Sequence, residues 1–148
     1  MSPEERSTLV SIVVNILVDL FIIVKLYGLW QAGAFDGPEA LQTWARAVLW
    51  AVPLAIGGTI LLSILAALAQ KIISGEVEKA CADERDQRYQ LRGMAVTMVL
   101  ACFGVMAGII ALALGKSAIF GLTVIYFSMA AGALVGDLVR WFSYRVWG

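Results

Sequence analysis

Few polar residues interrupt the N-terminal third of the chain, and they are regularly placed. Thr8, Ser11, Asn15 and Asp19 follow one another at intervals of 3, 4 and 4 within an apolar run. That spacing puts them on one stripe of a helix. A carboxyl in the middle of such a run must face other helices or water, because an acid at mid-span costs about 2.5–3.5 kcal/mol on insertion scales. Asp19 is therefore the leading candidate for chemistry, as a proton or cation site on the stripe Ser11, Asn15 and Asp19. The structural alternative makes it a packing residue hydrogen-bonded to Asn15. Asp137 has Arg140 three residues on, and a local ion pair is the simplest expectation there. Lys25 is expected to meet Asp36, Glu39 or lipid headgroups.

A second group of charges lies in residues 71–92, the one long polar stretch of the chain. Asp83, Glu84 and Asp86 place three carboxylates within four residues, a pattern that can hold a divalent cation. Arg85 and Arg88 neutralise them locally, so the expectation is a capped, salt-bridged helix start and no metal. Asp83 is the expected N-cap, with Asp86 three residues on. Glu84 and Arg88 form a favourable i,i+4 pair. Asp83, Glu84, Arg85, Asp86 and Arg88 together are read as a docking loop.

Several chemistries are excluded or disfavoured. The chain has no histidine. That removes a Ser-His-Asp triad, a His-ligated haem and a His-containing zinc site. Cys81 and Cys102 fall in a polar and an apolar stretch, so no disulfide framework is expected. Cys81 has no nearby Cys or His to make it a metal ligand or nucleophile. No phosphate-binding glycine loop or hydrolase motif is present. Formal net charge is zero, which offers no basic face to nucleic acid. The expectation is a protein that is not an enzyme and has no cofactor.

Composition states where these residues must sit. The chain of 148 residues is 61% hydrophobic and 15% charged, against about 45–50% and about 25% in soluble domains. Mean hydropathy is +0.85. The apolar residues come in long runs, the mark of an integral membrane protein. Four spans are predicted, at about residues 9–30, 47–69, 93–114 and 118–141. The first holds 15 Leu, Ile, Val or Phe residues, together about −4 to −9 kcal/mol of insertion energy, enough to carry Asp19. It is too long for a signal-peptide core and no cleavage site follows it, so it is expected to be retained.

Local signals punctuate the spans. Asp36-Gly37-Pro38-Glu39 reads as a turn, with Pro38 at the first helical position. Pro53 is expected to kink the second span. Ser74-Gly75 ends it, and Gly115-Lys116-Ser117 is a tight turn. Tyr27, Trp30, Trp44, Trp50, Trp141, Tyr144 and Trp147 fall where interfacial aromatics belong. Basic residues set the orientation. Arg6, the five of residues 71–92, Arg140 and Arg145 lie on one side, and Lys25, Arg46 and Lys116 on the other. The positive-inside rule puts both termini and the central loop in the cytoplasm.

Small residues recur at helical spacing in three spans. Gly104 and Gly108, and Gly132 and Gly136, are G-x-x-x-G pairs, and Ala51, Ala55, Thr59, Ser63, Ala66 and Gln70 form a third row. Such rows let helices approach closely in lipid. They serve either packing within the chain or a subunit interface.

The layout of two apolar hairpins about Asp83-Glu84-Arg85-Asp86 resembles a group of uncharacterised small bacterial membrane proteins. In these a D-E-R-D motif lies in the central cytoplasmic loop, before a charged helix that leads into the third span. The resemblance implies four spans and a bacterial inner membrane, and carries no assigned activity.

The expected fold is an all-α, four-helix up-down bundle with both termini cytoplasmic. The leading expectation for function is a non-enzymatic membrane subunit or regulator, in a homo-oligomer or a complex with another membrane protein, that docks through small-residue helix faces. Two alternatives stand beside it: a small proton- or cation-coupled transporter using Asp19, and a binder of a hydrophobic cofactor or pigment between helices.

Overall fold

The computed structural model describes residues 3–74 and 84–147, and every regular element among them is helical. The helices are α1 (Pro3–Gln31), α2 (Ala40–Leu49), α3 (Ala51–Ser74), α4 (Glu84–Ala113) and α5 (Ala118–Trp147). Four stretches, Glu5–Gln31, Ala40–Ile72, Asp86–Ala113 and Ala118–Val146, are long and apolar enough to cross a membrane. At 1.5 Å per residue the 29 residues of α1 extend about 44 Å, more than a hydrocarbon core of about 30 Å.

Local sequence accounts for most of the helix ends. α1 and α4 finish in left-handed glycines, Gly33 at φ 68° and Gly115 at φ 78°. In each case the glycine N–H and the N–H after it reach back to close a Schellman cap. Gly33 bonds Trp30 and Ala34 bonds Leu29, and Gly115 bonds Leu112 and Lys116 bonds Ala111. Ser117 caps α5, its hydroxyl accepting the Phe120 N–H at 3.3 Å. α2 begins at Ala40 with Glu39 as its N-cap, so Pro38 precedes the helix instead of opening it. α3 ends at Ser74 and α4 opens at Glu84. Asp83 and Cys81 lie outside the described residues, as do the side chains of Glu84 and Arg85.

The second span differs from expectation in one respect. The break falls at Trp50, between α2 and α3, and not at Pro53 itself. Proline 53 has no N–H to give the Leu49 carbonyl, and its ring crowds that carbonyl. The ladder therefore fails one turn before the proline and resumes with Leu54 bonding Trp50 at 3.3 Å. α2 touches α1, α3 and α5. Ala40, Trp44 and Ala47 form its buried face. Trp44, expected at the interface, instead enters the core beside Ile22, Leu26 and Ala47.

The long helices are neighbours in the order α3, α1, α5, α4. Contacts alternate in direction. Arg6 near the start of α1 donates to Gln70 near the end of α3, and Glu5 lies 3.8 Å from Arg145 near the end of α5. The arrangement is thus up-down, two antiparallel hairpins meeting along α1 and α5.

The α4–α5 hairpin is the most extensively packed pair, and glycine makes it so. A Cβ on Gly136 would lie 2.7 Å from the Gly93 carbonyl oxygen, and one on Gly104 would collide with Ser128. A Cβ on Gly132 would press on Thr97 and Leu100, and one on Gly108 on Ile125. Both G-x-x-x-G pairs therefore serve packing within the chain. The Thr97 hydroxyl crosses the seam to the Gly132 carbonyl at 3.1 Å, a polar contact of the kind that adds to small-residue packing between helices in lipid.

Candidate functional site

α1 presents a single stripe to α5. Thr8, Ser11, Asn15 and Asp19 continue into Ile22 and Leu26 at the same three- and four-residue steps, the seam of two antiparallel helices packed with a slight twist. Thr8 and Ile22 are completely buried. The half of the stripe nearer the N-terminus is polar and the other half is apolar.

The polar half closes on α5 through Asp137. Ser11 Oγ donates to Asp137 Oδ2 at 2.6 Å, and Asn15 Nδ2 donates to the same oxygen at 3.0 Å. The first distance is in the range of a charge-assisted O–H···O bond. Two expectations are corrected by this geometry. Asn15 serves Asp137 and not Asp19, and Asp137 is held from across the helix interface by Ser11 and Asn15. The physical reason is rotation. Asp137 shares a face of α5 with Tyr126, 11 residues or about three turns earlier, and that face meets α1. The opposite face, with Gly132 and Gly136, meets α4.

Asp19 lies one turn beyond Asn15 on the same stripe and is half-buried. The α1–α5 interface thus carries two carboxyl side chains, Asp137 and Asp19, separated by Asn15. Sequence reasoning missed Asp137 as a member of this site. The signal was present as an acid three turns after a tyrosine in an apolar helix, but pairing it with α1 requires knowing that α1 and α5 are neighbours.

A cleft on the α4 side of Asp137 lies beside the polar half of the seam, and the apolar half is closed. Asp137 and Arg140 line a small cleft of about 230 Å³ between α4 and α5, with Gln90, Gly93 and Thr97. That volume and its polar walls suit a few waters. Past Asp19 the interface is sealed by Ile22, Leu26, Trp44 and Ala47, with Leu122, Tyr126 and Phe127 packed on them. Two polar contacts run through it: Trp44 Nε1 donates to Thr123 Oγ1 at 2.9 Å, and Thr123 Oγ1 donates to Ile119 O at 2.7 Å.

Other predicted positions are placed as follows. Lys25 sits over the Phe21 and Trp50 rings, its Nζ 5.5 and 5.1 Å from their centroids. It meets aromatic faces where acids were expected. Asp86 is half-buried and near Tyr144, which stacks edge-on against Tyr89 at 5.1 Å, and Arg88 is exposed. Cys102 is an exposed free thiol. Among the described residues no three acidic or sulfur side chains converge on one point. No family model matches the chain, and comparison with curated proteins and with solved structures gives no significant match.

Proposed function

We propose that the chain is a four-span protein of a bacterial inner membrane, with both termini and residues 71–92 in the cytoplasm. In that setting it is a non-enzymatic subunit or regulator that docks on another membrane protein. The basic residues gathered at one end of the bundle support the orientation. The docking face moves from the glycine rows, which are occupied within the chain, to α3.

One observation carries this reading. The apolar window of the span that contains α3 buries none of its residues inside the protein, the lowest share of the four. Yet α3 is not a plain lipid-facing helix. Thr59 and Ser63 are exposed one turn apart, and Gly57 has open space where a side chain would stand. Hydroxyl and small residues on an uncovered helix are what a second helix packs against in lipid. Photocrosslinkers placed at Ser63 and, as a control, at Ile109 on α4 test it in cells at native expression. Crosslinking to one membrane protein from Ser63 alone, lost in Thr59→Leu/Ser63→Leu, is expected. Equal products from both positions, or a lone monomer, would overturn it.

A second reading draws on the paired carboxyls. Asp19 and Asp137, with the α4–α5 cleft that Asp137 and Arg140 line, would form the inner half of a proton- or cation-coupled path. Ile22, Leu26 and Trp44 must then move for the path to continue. Ion flux in proteoliposomes that Asp19→Asn abolishes is the expected outcome of that reading, and unchanged flux in that variant would dismiss it.

A further inference from the structure

Where α1 ends and α5 begins, α1, the turn after it, α2 and α5 line an open cavity of about 620 Å³. Its walls are aromatic. Trp30, Phe35, Phe120 and Phe127 line it, Trp44 is its buried inner wall, and Asp36 is its carboxylate. Tyr27 stands against Trp30 with ring centroids 6.0 Å apart. The volume lies within the range of about 300–1,000 Å³ that small-molecule sites occupy.

The chemistry of the walls selects a ligand class. The inner polar atoms are already spent on one another, because Trp44 bonds Thr123, Thr123 bonds Ile119, and Ser117 caps α5. An anion would meet ring faces, which are negative, and the Asp36 carboxylate. Lys116 is the basic residue of the adjoining turn, and it does not line the cavity. A cation bearing apolar groups meets complementary surface throughout: ring faces for the charge and for the hydrocarbon, and one acid at the exposed rim.

We propose that this cavity is a binding site for lipophilic organic cations, of the quaternary ammonium or phosphonium class. It is independent of α3 and of whatever partner α3 takes. The ligand reaches it from the membrane face opposite the central loop, with its charge held between Asp36 and the Trp30 ring. The same chemistry is offered by a soluble cation and by a choline headgroup.

Titration of the full chain in nanodiscs with tetraphenylphosphonium tests the site. Triphenylphosphine oxide is the neutral control and tetraphenylborate the anionic one, and empty discs give the partitioning background. Saturable binding of the phosphonium alone is expected. Asp36→Asn and Trp30→Ala should each weaken it about fivefold, with helix content unchanged. Identical curves for the three probes, or full affinity in Asp36→Asn, would overturn the proposal. Discs of phosphatidylglycerol and of phosphatidylcholine separate the sources. Weaker binding in the choline discs marks the headgroup as the competing ligand, and equal binding marks the site as one for soluble cations.

Discussion

Replacing Gly136 with alanine is expected to loosen the α4–α5 hairpin, whereas the same change at Gly28 is not. A Cβ at position 136 falls on the Thr97 hydroxyl and 2.7 Å from the Gly93 carbonyl oxygen. Thr97 cannot swing aside without leaving the Gly93 and Gly132 carbonyls, each at 3.1 Å. The Gly93 carbonyl is backbone and cannot rotate away. Ordinary contact begins at 3.4 Å, so the helices must part by 3.4 − 2.7, about 0.7 Å. A gap of that size forfeits about a quarter to a half of each dispersion contact beside it. Overpacking of this kind costs about 1–3 kcal/mol, and the lost Thr97 bond about 0.6 kcal/mol. Alanine's better helix propensity returns about 1 kcal/mol. The net loss is about 0.6–2.6 kcal/mol by these terms. At Gly28 nothing lies within 4 Å of the added carbon, and only the propensity gain remains. Reversible unfolding in mixed micelles of rising dodecyl sulfate fraction, followed by circular dichroism, measures both. Gly136→Ala should unfold earlier than wild type, and Gly28→Ala at the same point or later. Equal shifts in the two variants would refute the close-packing argument.

Three further outcomes follow from the polar contacts and the helix break. Ser11→Ala/Asn15→Leu should destabilise by about 1–3 kcal/mol, because it leaves the Asp137 carboxyl without its α1 donors. Adding Asp137→Leu should recover part of that loss, since the unpaired group is then gone, and the same micelle unfolding assay ranks the two. Thr123→Val strands the buried Trp44 N–H and should cost about 1–2 kcal/mol, read by unfolding and by a change in Trp44 fluorescence in a single-tryptophan background. Pro53→Ala returns a donor to the Leu49 carbonyl and should join α2 to α3. The joined helix would appear as increased amide-exchange protection at residues 50–53, with no change expected in α5.

The local features were legible because their causes are local. Gly33 and Gly115, each two residues past the end of a helix, take the left-handed turn that closes it, and a serine before Ala118 starts the next. The Thr8-Ser11-Asn15-Asp19 stripe was equally readable from its spacing. Its partners were not. Asp137 looked like the mate of Arg140 because a sequence offers only neighbours along the chain. Trp44 looked interfacial because tryptophans near a span end usually are. Its ring shares the buried face of α2 with Ala40 and Ala47, and that face meets the core. The G-x-x-x-G rows announced close packing but not what would pack on them, because the same row serves a chain or a dimer.

What the sequence alone determines is a set of cylinders: four long apolar helices, their turns, and the polar loop between two hairpins. Hydropathy and turn chemistry act within a few residues, so each element carries its own instructions. The tertiary structure decides the order α3, α1, α5, α4 and the rotation of each helix about its axis. Those two choices bring Ser11 and Asn15 to Asp137, and bury both glycine rows between α4 and α5. They also leave α3 uncovered. Each is a contact between side chains far apart in the chain, and only packing brings those side chains together.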